Sequence, residues 1–506
     1  MRRRALAAAV AVVCMGLTVL GSPSPGAEAF RITIVQGPDP VSLDPTQDIN
    51  KTSVNIQLGI FDPLVWATPD GKVAPWIATS WQNLNPTTWR FRVRQGVRFH
   101  NGEPLTAEHV VFSLETYNRS RGEGSRLFQF VQSARAVDVQ TVEIVTRTPL
   151  PSTPVQMGFL YLLPRQHYAE VGPARFGIAP VGTGPMRFRE WRQGVRIVLE
   201  RNDQYWQAPI AVAQATYRPA PEAYTRLAML LTGQADIIAN VPPELIPRIE
   251  QARTARVTRT PSLRSIFLEF NMRQKPFDDV RVRRAVNYAI DKDTLIRQVL
   301  GGNAVRAYGA LPPGWLGANP PERLTRYDYD PQKARQLLAE AGYPQGFAFD
   351  FWHPVGRYLK DKEVAEAIAA QLAQVGMRSN LIGLDIGTLV QRIHTQTLSG
   401  LHMFSYAPLI FDTDYILRVQ FWSQGLNQYA WDERSDRYVE AGAAIADPRR
   451  RHEIYAEWER YVVNDLVPHA FLYWQSLIYA TSNRVDWQPR ADEVIDIRAI
   501  RPRGRP

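Results

Sequence analysis

Acid–base, nucleophilic and metal chemistry each need particular residue types at particular spacings, and this 506-residue chain supplies few of them. No Gly-x-Ser-x-Gly nucleophile elbow occurs. His452 and Glu453 are adjacent, but a zinc-binding helix needs a second histidine four positions on, where one face would carry both imidazoles, and Ala456 stands there. Gly182-Thr183-Gly184 begins like a dinucleotide loop, then meets Pro185 and Arg187 where a helix opening and a third glycine belong, so it reads as a turn. Asp291 and Asp293 bracket Lys292 at an expected helix start, where capping explains them. Asp412 and Asp414 have the same spacing and are open to acid–base work or to capping. His100, His109, His167, His353, His394, His402 and His469 show no ligand spacing, and each reads as an ordinary surface or core histidine. The residues point to no catalytic set, metal or cofactor.

Cys14 is the only cysteine. It lies in the apolar stretch 5–20, behind Arg2, Arg3 and Arg4 and ahead of Ala27-Glu28-Ala29, the layout of a cleavable signal peptide. Cleavage is predicted before Phe30, with residues 1–29 removed and a periplasmic destination. The apolar run is short for a bilayer core of about 30 Å, which argues against an uncleaved anchor. Val13 before Cys14 does not suit a lipoprotein signal. Loss of Cys14 removes thiol catalysis, disulfides and thiolate metal sites together, so stability must come from burial.

Flat apolar faces are plentiful instead. Thirteen tryptophans and twenty tyrosines suit a cleft that grips part of a ligand and hydrogen-bonds the rest, although most must be packing. With 45% hydrophobic and 21% charged residues the chain buries a large core, and its length allows about three domains. Mean hydropathy is −0.26, and no apolar run of about 20 residues follows residue 30, which excludes a polytopic membrane protein. The net charge of +10 is scattered, densest at Arg498, Arg501, Arg503 and Arg505, and reads as a solvated basic surface with no nucleic-acid partner.

Elements of both periods alternate, so the class is mixed α/β. Strands are predicted at 31–36, 141–146, 195–200, 265–271 and 348–352, and another where Trp89, Phe91 and Val93 alternate with Arg90, Arg92 and Arg94. Thr106 is placed to cap a helix over 107–117. Ala365, Ile368, Ala369, Leu372 and Val375 form a helical stripe that stops at Gly376. Further helices are expected at 223–232, 280–289, 333–341 and 449–464. Proline and glycine cluster at 177–185 and 311–321, where the chain either changes lobe or turns sharply.

Phe99-His100-Asn101-Gly102-Glu103-Pro104-Leu105-Thr106-Ala107-Glu108-His109-Val110-Val111-Phe112-Ser113 resembles the signature segment of solute-binding protein family 5, the extracytoplasmic receptors of ABC importers for peptides, glutathione, nickel and related solutes. Three further stretches are similar to the family in the same order. They are Gly182-Thr183-Gly184-Pro185 leading to Asn202-Asp203-Gln204-Tyr205-Trp206, then Phe277-Asp278-Asp279-Val280-Arg281 through Ala289-Ile290-Asp291, then Tyr329-Asp330-Pro331 through Leu338. The resemblance implies a two-lobed periplasmic binding protein-like clamshell of type II with a hinge, in a three-subdomain form. Mapped on this chain, the first lobe takes 30–61 and 185–264 with a return over 478–506, an inserted subdomain takes 62–184, and the second lobe takes 265–477.

The same resemblance implies a ligand carboxylate paired with Arg357, whose alternative role is to neutralise Asp361 or Glu363. It aligns Leu409 with the aspartate that holds a peptide amine, a departure from the pattern that leaves Asp412 or Asp414 to substitute, or a ligand without such an amine. Tyr406 stands where the family has an aromatic wall, with Tyr358, Trp422 and Trp431 as further aromatic positions. The implied function is capture of a peptide or peptide-like solute by a monomer, without catalysis, and delivery to an ABC permease and its ATPase. A receptor for an opine, an oligosaccharide or a metal chelate is the alternative, and a secreted hydrolase a remoter one.

Overall fold

A computed structural model of the chain describes residues 29–408, 410–425, 429 and 431–504. Residues 1–28 of the expected signal peptide and the expected amine position, Leu409, lie outside them. Among the described residues, eleven strands join in one sheet. Its ten-strand path runs Met377–Leu384, Phe347–Pro354, Leu401–Tyr406, Ala255–Phe270, His469–Ser482, Ile237–Ile238, Arg31–Gln36, Gln214–Pro219, Arg196–Arg201 and Met186–Arg192, and Ala304–Arg306 pairs beside His469–Ser482.

The two long strands at the centre carry the sheet from one half of the molecule to the other. Ala255–Phe270 and His469–Ser482 lie antiparallel from Ala255 opposite Ser482 to Glu269 opposite His469, and the register shifts between Pro261 and Ser265. On one side of that shift the ribbon borders Ile237–Ile238, and on the other it borders Leu401–Tyr406. Proline offers no ladder donor, and a register shift lets a strand pair change direction, so 261–265 is where the ribbon is least constrained.

A separate four-stranded sheet orders Ala78–Asn85, Thr88–Val93, Thr141–Thr146 and Val131–Ala136. Helix Ala107–Arg119 lays Ala107, Val110, Leu114 and Tyr117 toward it. Its start is fixed by the segment quoted above. Thr106 and His109 form a reciprocal cap, and the other ring nitrogen of His109 meets Glu103 at 2.8 Å. Gly182 and Gly184 press against the backbone of Gly59 and Ile60, where a β-carbon would overlap it, so this G-x-G serves close chain packing. The proline- and glycine-rich stretch 311–321 contains a run of turns. The buried Glu459 carboxylate pins it, accepting from the Leu311 and Asn319 backbone N–H groups at 3.0 and 2.6 Å and from Asn319 Nδ2 at 3.0 Å.

One apolar core lies under the first half of the sheet, with Ile34, Phe61, Leu199 and Trp487, and another under the second half, with Leu268, Val286, Ile368 and Met403. A third runs from Phe91 and Leu114 of the small sheet to Phe411, Trp458 and Phe471. It joins chain segments far apart in sequence. Phe159 meets Phe411 at 5.3 Å, Trp315 Nε1 donates to the Pro69 carbonyl at 3.1 Å, and Gly71, at φ +79°, sits where a β-carbon would lie 2.8 Å from the Phe411 carbonyl oxygen.

Candidate ligand-binding site

Arg357 sits on the turn between strand Phe347–Pro354 and helix Asp361–Ala373. Gly356 has φ +78°, a conformation glycine adopts without strain. Asp361 opens the helix, and its buried carboxylate accepts from the backbone N–H groups of Gly356, Arg357, Tyr358 and Lys362 at 3.0, 2.7, 2.9 and 2.9 Å. Those four donors compensate its charge. Asp361 therefore shapes the turn through backbone bonds, and the Arg357 guanidinium makes no hydrogen bond or ion pair among the described residues. It is exposed at its surface, yet desolvation by the surrounding protein and the charge of Arg264 lower its pKa from the usual arginine range.

Beside it, Tyr358 is buried, and its hydroxyl accepts from the Ser405 backbone N–H at 3.1 Å. The Arg357 and Arg264 guanidinium carbons lie 5.7 and 5.9 Å from its ring centre, within cation–π range. Arg264 donates to Ser405 Oγ at 2.8 Å and pairs with Glu493 at 2.9 Å. Burial alone would raise the Glu493 pKa, but Arg264, Lys51 and Arg357 outweigh it and hold the carboxyl below its usual range.

Glu493 leads to a neighbouring cavity, formed by the first turn of helix Lys51–Ile60 and by the C-terminal return. Asp48 braces that turn, accepting from the Asn50 backbone N–H at 2.8 Å and from the Ser53 hydroxyl at 2.5 Å. Arg490 grips Asp492 through both carboxylate oxygens at 3.0 and 2.7 Å and lies 5.4 Å from the Trp66 ring centre. Lys51 makes no hydrogen bond or ion pair among the described residues. Burial lowers the pKa of its ammonium, with Asp492 and Glu493 opposing this and Arg264 and Arg490 adding to it. Lys51, Arg490 and Asp492 line a cavity of about 60 Å³ with Trp66, Tyr117, Tyr161 and Phe411, so both halves of the molecule contribute to it. Cationic donors beside aromatic walls can hold an anionic group together with apolar parts of a ligand.

The remaining expected residues fall elsewhere. Asp412 is committed to Arg451 through both oxygens, at 2.7 and 2.9 Å, and caps helix Thr413–Gln420 by accepting from the Asp414 N–H. Both of its oxygens are engaged in that set. Asp414 pairs with Arg418 at 2.8 Å. Tyr406 lines a second, smaller cavity with Leu263, Phe267 and Trp474, where burial and Tyr415 hold its hydroxyl protonated. Trp422 stacks under Arg418 at 4.8 Å, and Trp431 is half-buried before helix Glu433–Ala444. The structure thus brings Arg357 and Tyr358 together and does not join Tyr406, Asp412, Trp422 or Trp431 to them. Lys51, Arg264, Arg490, Asp492 and Glu493 were not singled out from the sequence. Two traits mark them in retrospect: Lys51 is one of seven lysines in an arginine-rich chain, and Glu493 is a non-glycine residue at φ +67°.

Two histidines also carry more than their spacing suggested. Glu269 lies directly across neighbouring strands from both His402 and His469, with ion-pair distances of 3.2 and 3.7 Å, all three buried. Among the described residues no group of histidine and carboxylate side chains is arranged to hold a metal ion.

The family model for the bacterial extracellular solute-binding proteins, family 5 Middle, matches residues 72–425. The glutathione-binding protein GsiB of Pectobacterium atrosepticum is 32% identical over 390 residues, 74% of this chain and 73% of its own. Among solved structures, the ABC transporter substrate-binding protein CtaP of Listeria monocytogenes has a TM-score of 0.84 at 21% identity, covering 93% of this chain and 99% of that one. The periplasmic binding protein DppA of Helicobacter pylori, in complex with the peptide STSA, has a TM-score of 0.77 at 23% identity, covering 93% and 98%. These two share the fold. The chain belongs to family 5 of the bacterial extracellular solute-binding proteins.

Proposed function

We propose that this chain is the periplasmic capture subunit of an ABC importer, working as a monomer, and that it binds a peptide or peptide-like solute bearing a carboxylate. The observation that carries the reading is Arg357, an arginine held by Asp361 on a shaped turn, beside a buried tyrosine, with its own guanidinium left without an ion pair. A guanidinium fork in that setting suits a carboxylate bidentately. The GsiB relative and the peptide complex of DppA support a peptide-like solute. The lobes are those mapped from the sequence, with a hinge where the long strands cross near 261–265 and 474–476. A cavity of about 60 Å³ has room for a few waters, so loading requires the lobes to part and capture consists in their closing again. The bound solute is then passed unaltered to the permease, whose ATPase supplies the energy.

The test is a thermal-shift screen over di- and tripeptides, glutathione, opines, oligosaccharides and metal chelates, since a ligand that binds only the folded state raises its melting temperature. A peptide-like carboxylate is expected to give the largest rise, and Arg357→Ala to weaken its binding by roughly 1.5–3 kcal/mol, the range for a charge-assisted hydrogen bond at a partly exposed site. A sugar or metal chelate as the best ligand, or an unchanged affinity in the variant, overturns this reading.

A further inference from the structure

Charges around the cavity and around the Arg357 turn pair off almost completely. Asp492 is taken by Arg490 and Glu493 by Arg264, while Asp361 is compensated by four backbone N–H groups. Farther round, Asp496 pairs with Arg498, and Asp62 is enclosed by donors from Trp76, Thr183, Tyr205 and Trp206. Two cations remain over, Lys51 in the cavity lining and Arg357 on its turn outside that lining, and both act on Glu493.

Lys51 is poorly placed for any structural purpose. It is the first residue of a ten-residue helix, where the positive end of the helix dipole repels an ammonium. Its ordinary place would be in water or beside a carboxylate, yet it lines the cavity with neither hydrogen bond nor ion pair among the described residues. Desolvating a cation without a counter-ion is destabilising. A bound anion removes that penalty, and does so twice if it also reaches the unpaired Arg357.

We infer that the ligand carries two anionic groups, one held by Arg357 and the second by Lys51, and so belongs to the acidic peptides and similar dicarboxylate solutes; this rests on the capture role proposed above. The aromatic residues that line the cavity with Lys51 then take the body of the ligand, and closure sets the spacing its two charges must match.

The test is calorimetry at fixed ionic strength with two matched probe pairs, glutathione against its glycine monoethyl ester and Ala-Ala-Glu against Ala-Ala-Gln. In at least one pair the diacid is expected to bind tenfold or more tightly than its partner. Lys51→Met should narrow that ratio below threefold, and Lys51→Arg should keep it. The unliganded Lys51→Met protein should melt no lower than the parent, because an unpaired cation has been removed, which separates loss of the site from loss of the fold. Equal affinities within each pair, or a ratio that Lys51→Met leaves intact, overturn the inference while leaving peptide capture standing. Binding of none of the four probes overturns both.

Discussion

His100 ties the stability of the fold to pH through one side chain. Its Nε2 meets the Gly184 carbonyl at 3.0 Å and its Nδ1 accepts from the Gly182 N–H at 3.3 Å, an arrangement that suits the neutral ring protonated on Nε2. Burial lowers its pKa from 6.5 to about 4, against the Gly184 bond, and Arg187 lowers it further. As pH falls below 6.5 the unfolded chain takes up this proton first. The stability held by the neutral ring is therefore complete above pH 6.5 and lost progressively down to about pH 4, amounting to about 3 kcal/mol. His100→Gln keeps polar groups at the position and removes the titration. Urea unfolding of both proteins at pH 7, 5.5 and 4 should show the parent losing about 3 kcal/mol more than the variant across that span. A pH-independent difference would show that the ring is not held neutral.

At the level of elements, the turn that carries Arg357 depends on Asp361 more than on its own residues. Asparagine there keeps the shape but turns an amide toward backbone donors, leaving buried N–H groups unpaired. Asp361→Asn is expected to lower stability by about 2 kcal/mol and to weaken the best ligand of the screen more than its carboxamide analogue, because the turn loses its aim at the carboxylate. Equal weakening of both would make the effect one of stability alone. How far such elements are legible follows from where their energy comes from. Arg31–Gln36, Thr141–Thr146 and Val280–Ala289 match their predicted spans because each carries its own pattern of buried positions. The central strands do not. The residues before Ser265 in Ala255–Phe270 are rich in arginine and threonine and show no buried face of their own. His469–Ser482, buried on nearly every residue, lacks the alternation that marks a half-exposed strand. Arg357 was singled out through the family resemblance, whereas the Lys51 cavity arises only when a helix start meets a segment more than 400 residues later.

At the scale of the whole molecule, contacts remote from Arg357 join segments far apart in the chain. Trp315 reaches across to the Pro69 carbonyl, and Phe411 packs on Phe159, so the small-sheet subdomain is stitched to the far half of the large sheet. If such contacts form only when the lobes are together, their free energy adds to the apparent affinity for any ligand that needs closure. Trp315→Phe keeps most of the apolar surface and deletes the one hydrogen bond, a loss of about 1 kcal/mol, or roughly fivefold in affinity. The association step precedes closing, so the change should appear as faster dissociation with little change in the association rate. Stopped-flow kinetics with the best ligand of the screen measures both rates, and X-ray scattering of the liganded proteins should show a larger mean radius of gyration in the variant. If dissociation is unaltered, Trp315 and Pro69 stay in contact whether or not ligand is held, and the moving boundary must lie on the other side of that bond.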